Sequence, residues 1–397
     1  MRQHRPLTVA SLGIAQTLAW ASSYYLPAIL AVPMARDLGV SAPTVFAAFS
    51  AALVVSAMLG PLAGRLIDRF GGRPVLAANS LVFAIALAVM AVAQGPVTLF
   101  AAWLLMGVAM SAGLYEAAFA ALVHLYGKSA RGAITGITLI AGFASTVGWP
   151  LTAWLELEWG WRTACLAWAG LHLLLGLPLN WRLPGAPENH DAFASAAATV
   201  TPTETAPATG QPGRSGARTS ILLALAFAIT WFISTAMAAH LPRLLQSGGV
   251  PLATALVFAG LVGPAQVAGR LLEYGLLRRI HPLVSARLAG LMHTLGAMAF
   301  LLFGVPAGAL FTVLHGAGNG VLTIAKGTLP LVLFGSGNYG ARQGLLMVPA
   351  RFAQALSPWL FGLAIDRFGA GALWFSAALG LLGFAALLLL RDVEASH

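Results

Sequence analysis

The sequence predicts an all-α membrane protein of twelve transmembrane helices in two six-helix halves. Three observations carry this. The chain has 397 residues, 59% of them hydrophobic and only 9% charged, where a soluble domain carries about 25% charged residues. Its apolar runs are long and do not alternate with period two, so they read as helices and not as barrel strands. A polar break near the middle divides the runs six and six.

The same arithmetic excludes other classes. With 22 basic and 12 acidic residues, the chain cannot clothe a soluble enzyme of its size. Its hydrophobicity is too high for a disordered protein. Cys165 is the single cysteine, so no intramolecular disulfide forms, and it reads as a small buried hydrophobe. The basic stretch from Met1 to Pro6 leads into a long apolar run with no early small-residue cleavage site. It reads as the start of a first span, not a cleaved signal.

A helical span takes about 20 apolar residues, and its backbone groups must pair internally in lipid. The runs place spans at 8–31, 43–64, 74–94, 97–123, 132–154, 163–181, 219–240, 250–272, 283–304, 307–333, 343–364 and 370–390. The ninth and tenth are separated only by the turn Gly304-Val305-Pro306-Ala307-Gly308. Residues 182–218 are rich in Pro, Ala, Thr and Gly and carry Glu188, Asp191, Glu204, Arg214 and Arg218. That composition reads as a flexible linker. The expected organisation is a first half at 1–181, a cytoplasmic linker at 182–218 and a second half at 219–397.

An even span count puts both termini on one side. Sixteen of the 22 basic residues fall on that side, Arg270 counted among them. Arg36, Arg162, Arg243 and Arg367 fall on the other, and Lys326 and Arg351 lie inside spans. Basic residues concentrate in cytoplasmic loops. Both termini are therefore expected in the cytoplasm, with the protein in the cell inner membrane. The net charge of +10 is explained by topology, and no nucleic-acid partner is expected.

The halves echo each other. Ala63-Gly64-Arg65-Leu66-Ile67-Asp68 follows the second span, and Ala268-Gly269-Arg270-Leu271-Leu272-Glu273 follows the eighth, 205 residues later. Leu125-Tyr126-Gly127-Lys128-Ser129-Ala130-Arg131-Gly132 follows the fourth, and Leu333-Phe334-Gly335-Ser336-Gly337-Asn338-Tyr339-Gly340 follows the tenth, 208 residues later. Two echoes at nearly one offset argue for duplicated halves. Such repeats commonly frame a midplane site that faces each side in turn.

Between the second and third spans the chain reads Gly64-Arg65-Leu66-Ile67-Asp68-Arg69-Phe70-Gly71-Gly72-Arg73. This resembles the G-x-x-x-D-R/K-x-G-R/K-R/K loop of the major facilitator superfamily, with a departure at Gly72, where the family often has a basic residue. Arg131-Gly132-x-x-x-Gly136 and Gly160-Trp161-Arg162 are two more family-like pieces. The resemblance covers the whole chain and implies a secondary transporter. It also implies a conformational switch at Gly64, Arg65, Asp68, Arg69, Gly71, Arg73 and Arg131. Physically, Gly64 would permit close helix approach. Asp68 among Arg65, Arg69 and Arg73 could form an ion-pair network or meet a helix N-terminus.

Ionisable groups inside spans cost about 2.5–3.5 kcal/mol on insertion scales and point to function. Arg351 lies near the middle of the eleventh span and offers a fixed positive charge to an anion; a structural pair with an acid is the other reading. Lys326 follows His315, Asn319 and Leu322 at helical spacing on the tenth span, so a polar stripe faces a cavity or a neighbouring helix. Glu116 in the fourth span is the one deep acid, either a proton carrier or a permanent partner of Lys326 or Arg351. The first span carries Gln16, Trp20, Ser23, Tyr24 and Pro27 on one face, and the seventh carries Trp231, Ser234, Thr235 and His240. For any one of these aromatic groups packing is the plainer reading. The polar faces nevertheless fall on spans one, four, seven and ten, which in the superfamily line the central cavity. Pro349 and Pro358 bracket Arg351 and Gln354 and are expected to bend that helix.

The expected function is proton-coupled transport of a small organic anion by alternating access. Arg351, Lys326, Asn319, His315, Gln16, Trp20, Tyr24, Trp231 and Gln354 would contact substrate, and Glu116 would carry the proton. Two buried cations against one carboxylate favour an anion. The superfamily's monocarboxylate and oxalate/formate-type branches use late-span basic residues in this way. Their acid-Gly-aromatic signature is replaced here by Ala19-Trp20-Ala21-Ser22-Ser23. The alternative is a proton-coupled multidrug or metabolite exporter. No metal-ligand spacing, catalytic elbow or Walker glycine run is present, so no enzyme, metal or cofactor is expected. The expected partners are the substrate, the proton and the lipid bilayer, with the protein acting as a monomer.

Overall fold

The computed structural model describes residues 5–126, 130–185, 214–275, 280–334 and 339–390. Most of the expected linker, at 186–213, lies outside the described residues. So do the side chains of Asp68, Glu116 and Arg131, whose backbone positions are given. Every regular element among the described residues is helical.

The helices follow the apolar runs closely. The first span is broken, with helices Arg5–Ala21 and Pro27–Asp37 joined by a bend at Ser22–Leu26. The second is one helix, Ala42–Phe70, and the third is Gly72–Ala91. The fourth is Pro96–Gly113 continued by Tyr115–Tyr126. The fifth comprises Arg131–Ala141 and the start of Ala144–Leu171, which kinks at Gly160. The sixth runs on through a π-helical turn, His172–Gly176, to Leu177–Trp181.

In the last part of the chain the seventh span is Arg214–Ser247, and the eighth is Leu252–Gly260 with Val262–Gly275. The ninth to twelfth are Pro282–Phe303, Gly308–Phe334, Tyr339–Phe368 and Ala372–Leu389. Nine runs among the described residues are long and apolar enough to cross a bilayer. Two of them, of 50 and 44 residues, are long enough for two crossings each. With the broken first span this is consistent with the twelve expected.

The span boundaries expected from hydropathy were too short where helices run on into polar sequence. The second span continues past its expected end at Gly64 to Phe70, so the family-like stretch is mostly helix. Its turn is a single residue. Gly71 stands at φ 82, ψ 161, and its N–H caps the Ile67 carbonyl at 2.8 Å. That backbone region is essentially closed to residues with a Cβ. Gly160 adopts the same geometry, φ 80, ψ 164, at the turn between the fifth and sixth spans.

Glycine also sets how closely spans approach, but not where the sequence suggested. A Cβ at Gly64 would meet nothing within 4 Å among the described residues, so the close approach expected there is absent. Gly72 makes it instead: a Cβ there would run into the Cβ and backbone of Ala121 on the fourth span. The departure from the family pattern at Gly72 is thus a packing contact. In the repeat, Gly269 lies against the Ala317 backbone of the tenth span.

The core lies in patches along the interfaces between spans. One cluster is built on the first six spans around Phe46, Phe49, Trp103 and Trp168 and takes in Ala238, Ala239 and Ala355 from the seventh and eleventh. A second centres on Phe311, Phe361 and Leu241 and takes in Trp149 from the fifth. Large apolar side chains such as Met58, Val97, Val257 and Leu302 remain exposed, as lipid-facing side chains do.

Candidate functional site between the two sets of spans

An aromatic cluster grows from the first span. Trp20 meets Tyr24 edge-on at 4.9 Å and Tyr115 of the fourth span at 4.9 Å. Tyr24 packs on Tyr25 at 5.7 Å, and Tyr25 on Trp149 of the fifth span at 5.5 Å. The break in the first span makes this possible. After Ala21 the chain bends at Ser22–Leu26 before Pro27 restarts the helix. Consecutive tyrosines therefore point into the interior. Trp149 donates to the freed Tyr25 carbonyl at 3.2 Å.

Opposite this cluster stands a residue that sequence reasoning counted only among the cytoplasmic-side basic residues. Arg270 of the eighth span is buried, 4% exposed, and donates to the Thr138 carbonyl of the fifth span. Its guanidinium lies against the Tyr115 hydroxyl, and Gln266, one turn earlier, faces that of Tyr25. Thr138 belongs to the last turn of Arg131–Ala141, so the cation meets a helix C-terminus. The signal was present, since residue 270 lies two positions inside the expected span. A charge so near a span end reads equally as an arginine reaching back to the headgroups.

Lys326 is also buried, and its Nζ sits 3.9 Å from the ring centre of Trp231 on the seventh span. This is a cation–π contact in a dry setting. Arg351 is half-buried on the eleventh span.

Three donors in this region have no hydrogen-bond partner among the described residues: Trp20 Nε1, Trp231 Nε1 and Arg270 Nε. Each is buried, and an unmet buried donor costs about 1–3 kcal/mol. A ligand rich in acceptors would recover that cost.

Away from the basic face, the two sets of spans are joined. Tyr24 shares its hydroxyl with Thr235 Oγ1 of the seventh span and accepts from Gln354 Nε2 of the eleventh at 3.3 Å. Phe46 packs on His240 at 4.0 Å, and His240 Nε2 donates to the Pro358 carbonyl at 2.7 Å. His240 thus serves a structural contact at a proline in the helix. Arg162 pairs with Asp37 and Arg243 with Asp366 on that face. Of the basic residues of the family-like stretch, Arg69 covers Phe70 and Arg73 covers Trp181.

Two expected site residues point elsewhere. Gln16 donates to the Gly113 carbonyl at 2.7 Å and lines a small polar pocket with Asn79, His172 and Asn180, inside the first six spans. His315 turns to His293 of the ninth span, ring nitrogen to ring nitrogen at 3.0 Å. Both line a cavity between the seventh, ninth, tenth and twelfth spans, as does Asn319, which accepts from Ser234 at 3.1 Å. A helix-face count placed His315, Asn319 and Lys326 together. It could not say which neighbour each meets along a helix that touches several.

A family model described as Major Facilitator Superfamily matches residues 12–325. A protein of Thermoproteus tenax, described as an uncharacterized 38 kDa protein in a 23S RNA operon, is 28% identical over 371 residues, 92% of this chain and 91% of its own. The fold is similar to that of a mutant of the nucleoside transporter NupG, with a TM-score of 0.74, 15% identity, and coverage of 98% of this chain and 100% of that one. It is also similar to that of a D-xylose-proton symporter, with a TM-score of 0.74, 15% identity, and coverage of 99% and 98%.

Proposed function

Since this chain belongs to the major facilitator superfamily and is a membrane transporter rather than an enzyme, we propose that it moves a small organic anion by alternating access, coupled to protons. The observation that carries the substrate class is the set of orphaned donors, Trp20 Nε1, Trp231 Nε1 and Arg270 Nε, beside buried cations. Arg270 and Lys326 are both buried, and Arg351 adds a third positive group. A desolvated cationic site gains most from an anion that meets its donors. The aromatic cluster around Trp20 and Tyr115 suits an anion with an apolar or planar body. The two structural neighbours are a nucleoside transporter and a D-xylose-proton symporter, which keeps neutral polar ligands in the test.

In this reading the halves 1–181 and 219–397 rock about the central site, tied by the linker 182–218. Both termini face the cytoplasm, across the inner membrane. The substrate binds between Arg270, Lys326 and Arg351, with Gln354 and the aromatic groups orienting it. Glu116 exchanges the proton and so adjusts the charge of the cavity. Asp68, with Gly64, Arg65, Arg69, Gly71, Arg73 and Arg131, forms the switch that holds one state. Substrate drives closure only through its differential affinity for the two states. The second reading, export of amphiphilic compounds, is favoured by the same aromatic wall, which would accept a lipophilic cation.

The test is a thermal-shift panel on the purified protein. It compares small carboxylates, nucleosides, pentoses and lipophilic cations at acidic and neutral pH. A ligand that binds only the folded state raises the melting temperature by mass action. A shift with one carboxylate class supports the anion. A shift with lipophilic cations alone favours export, and a shift with nucleosides or pentoses alone removes the anion reading.

A further inference from the structure

The two histidines inside the last six spans form a directional hydrogen-bond chain. Ser376 of the twelfth span donates its hydroxyl to the Leu373 carbonyl at 3.1 Å. Its oxygen is then the acceptor for His293 Nε2, 3.1 Å away. That fixes the proton of neutral His293 on Nε2 and leaves Nδ1 as a lone pair. His315 Nδ1, at 3.0 Å, must therefore be the donor to it. What remains is His315 Nε2, a lone pair at the end of the chain. All three side chains are buried, at 7%, 4% and 0% exposure for His293, His315 and Ser376.

The chain ends at a cavity, not in packed hydrocarbon. His293 and His315 both line a small cavity of about 40 Å³, whose largely apolar wall also includes the polar side chains Thr230, Ser234 and Asn319. The titratable and charged groups around it are few. None of the residues lining it from the seventh or twelfth span is ionisable. On the ninth span Arg287, six residues before His293, is held by the Leu387 and Leu390 carbonyls. On the tenth, Lys326 lies eleven residues beyond His315, about 16 Å along the helix. On the eighth, which packs against the tenth, the charged groups with described side chains are Arg270 and Glu273; Arg270 reaches the fifth span and Glu273 faces Ser285.

We propose that the His293–His315 pair is a second proton-binding site of this transporter, required for coupling together with Glu116 and filled at His315 Nε2 from the cavity between the seventh, ninth, tenth and twelfth spans. The bound proton makes His315 an imidazolium whose Nδ1–H still donates to His293 Nδ1, so the added charge is held by a hydrogen bond already in place. No other bond in the chain need break. The site lies apart from the aromatic cluster, which lets proton binding and substrate binding act through different contacts of the tenth span. This inference rests on the transporter reading and is independent of which substrate is carried.

The test uses full-length protein in proteoliposomes, with the substrate class identified by thermal shift. His293→Gln keeps an amide N–H for Ser376 but breaks the pair. It is expected to lose accumulation driven by a pH gradient while retaining substrate counterflow at equal pH. Retained pH-driven accumulation overturns the proposal. Ser376→Ala, a smaller change, removes the acceptor that fixes the His293 tautomer. It is expected to displace the pH profile of accumulation, and an unchanged profile counts against the pair. Counterflow in the unaltered protein separates the two failures. Its absence with every anion refutes the substrate class, whereas its presence with a pH response intact in both variants refutes the histidine site.

Discussion

The guanidinium of Arg270 donates to the backbone carbonyl of Thr138, so a buried cation of the eighth span holds the end of a helix in the fifth. The same carbonyl accepts from the Gly142 N–H at 3.0 Å, where the fifth span breaks before Ala144. The bond therefore joins the two sets of spans at a point where one of them is already interrupted. In the proposed cycle Arg270 serves both as a tie between halves and as an anion ligand.

Arg270→Gln is expected to reduce uptake by about ten- to hundredfold, the effect of losing a hydrogen bond from a charged donor worth about 1.5–3 kcal/mol. Arg270→Lys is expected to restore little, because a single ammonium cannot span Thr138 and Tyr115 as a planar fork does. Initial rates in proteoliposomes, with folding checked by size-exclusion profile, decide the matter. Near-normal uptake in the Gln variant would remove Arg270 from the site.

Tyr24 links three spans through one hydroxyl, shared with Thr235 and Gln354. Tyr24→Phe keeps the ring and loses both bonds, each worth about 0.5–1.5 kcal/mol net. The closed arrangement on the face away from the basic loops should then weaken by about tenfold. A cysteine placed at Ala355, which packs in the interface, is expected to react faster with a polar thiol reagent in this background. Equal labelling rates would show that the hydroxyl does not hold that face shut.

Gly64 and Gly72 belong to one sequence motif and have opposite surroundings. Gly72→Ala pushes a methyl into Ala121 and is expected to cost about 1–3 kcal/mol through overpacking. Gly64→Ala meets open space and is expected to leave the melting temperature unchanged. If Gly64 serves close approach in the other state of the cycle, its substitution should slow transport without destabilising the protein. A melting temperature lowered equally by both would contradict this difference in packing.

Hydropathy located the spans because crossing a bilayer is a demand on each segment alone. It misplaced their ends, as at Phe70, because helices continue past the lipid wherever a neighbour supports them. The aromatic and cationic residues Trp20, Tyr24, Lys326 and Arg351 stood out by type in an apolar background. Arg270 did not, since proximity to a span end gives no direction. His293 was passed over for a related reason: a single histidine in an apolar helix acquires meaning only when His315, on another helix, faces it.

By itself the sequence determined that this chain crosses a membrane many times, and its loop echoes 205 and 208 residues apart carry the expectation of duplicated halves. These follow from composition and periodicity, which act along the chain. Only the tertiary structure decided which polar groups meet. Arg270 with Thr138, His293 with His315 and Tyr24 with Gln354 each join residues far apart in sequence. Their pairing depends on the rotation of one helix against another, and that rotation is set by packing at contacts such as Gly72 on Ala121 and Gly269 on Ala317. Helical periodicity fixes which residues share a face of one helix, but the neighbour that face meets is a property of the assembled bundle.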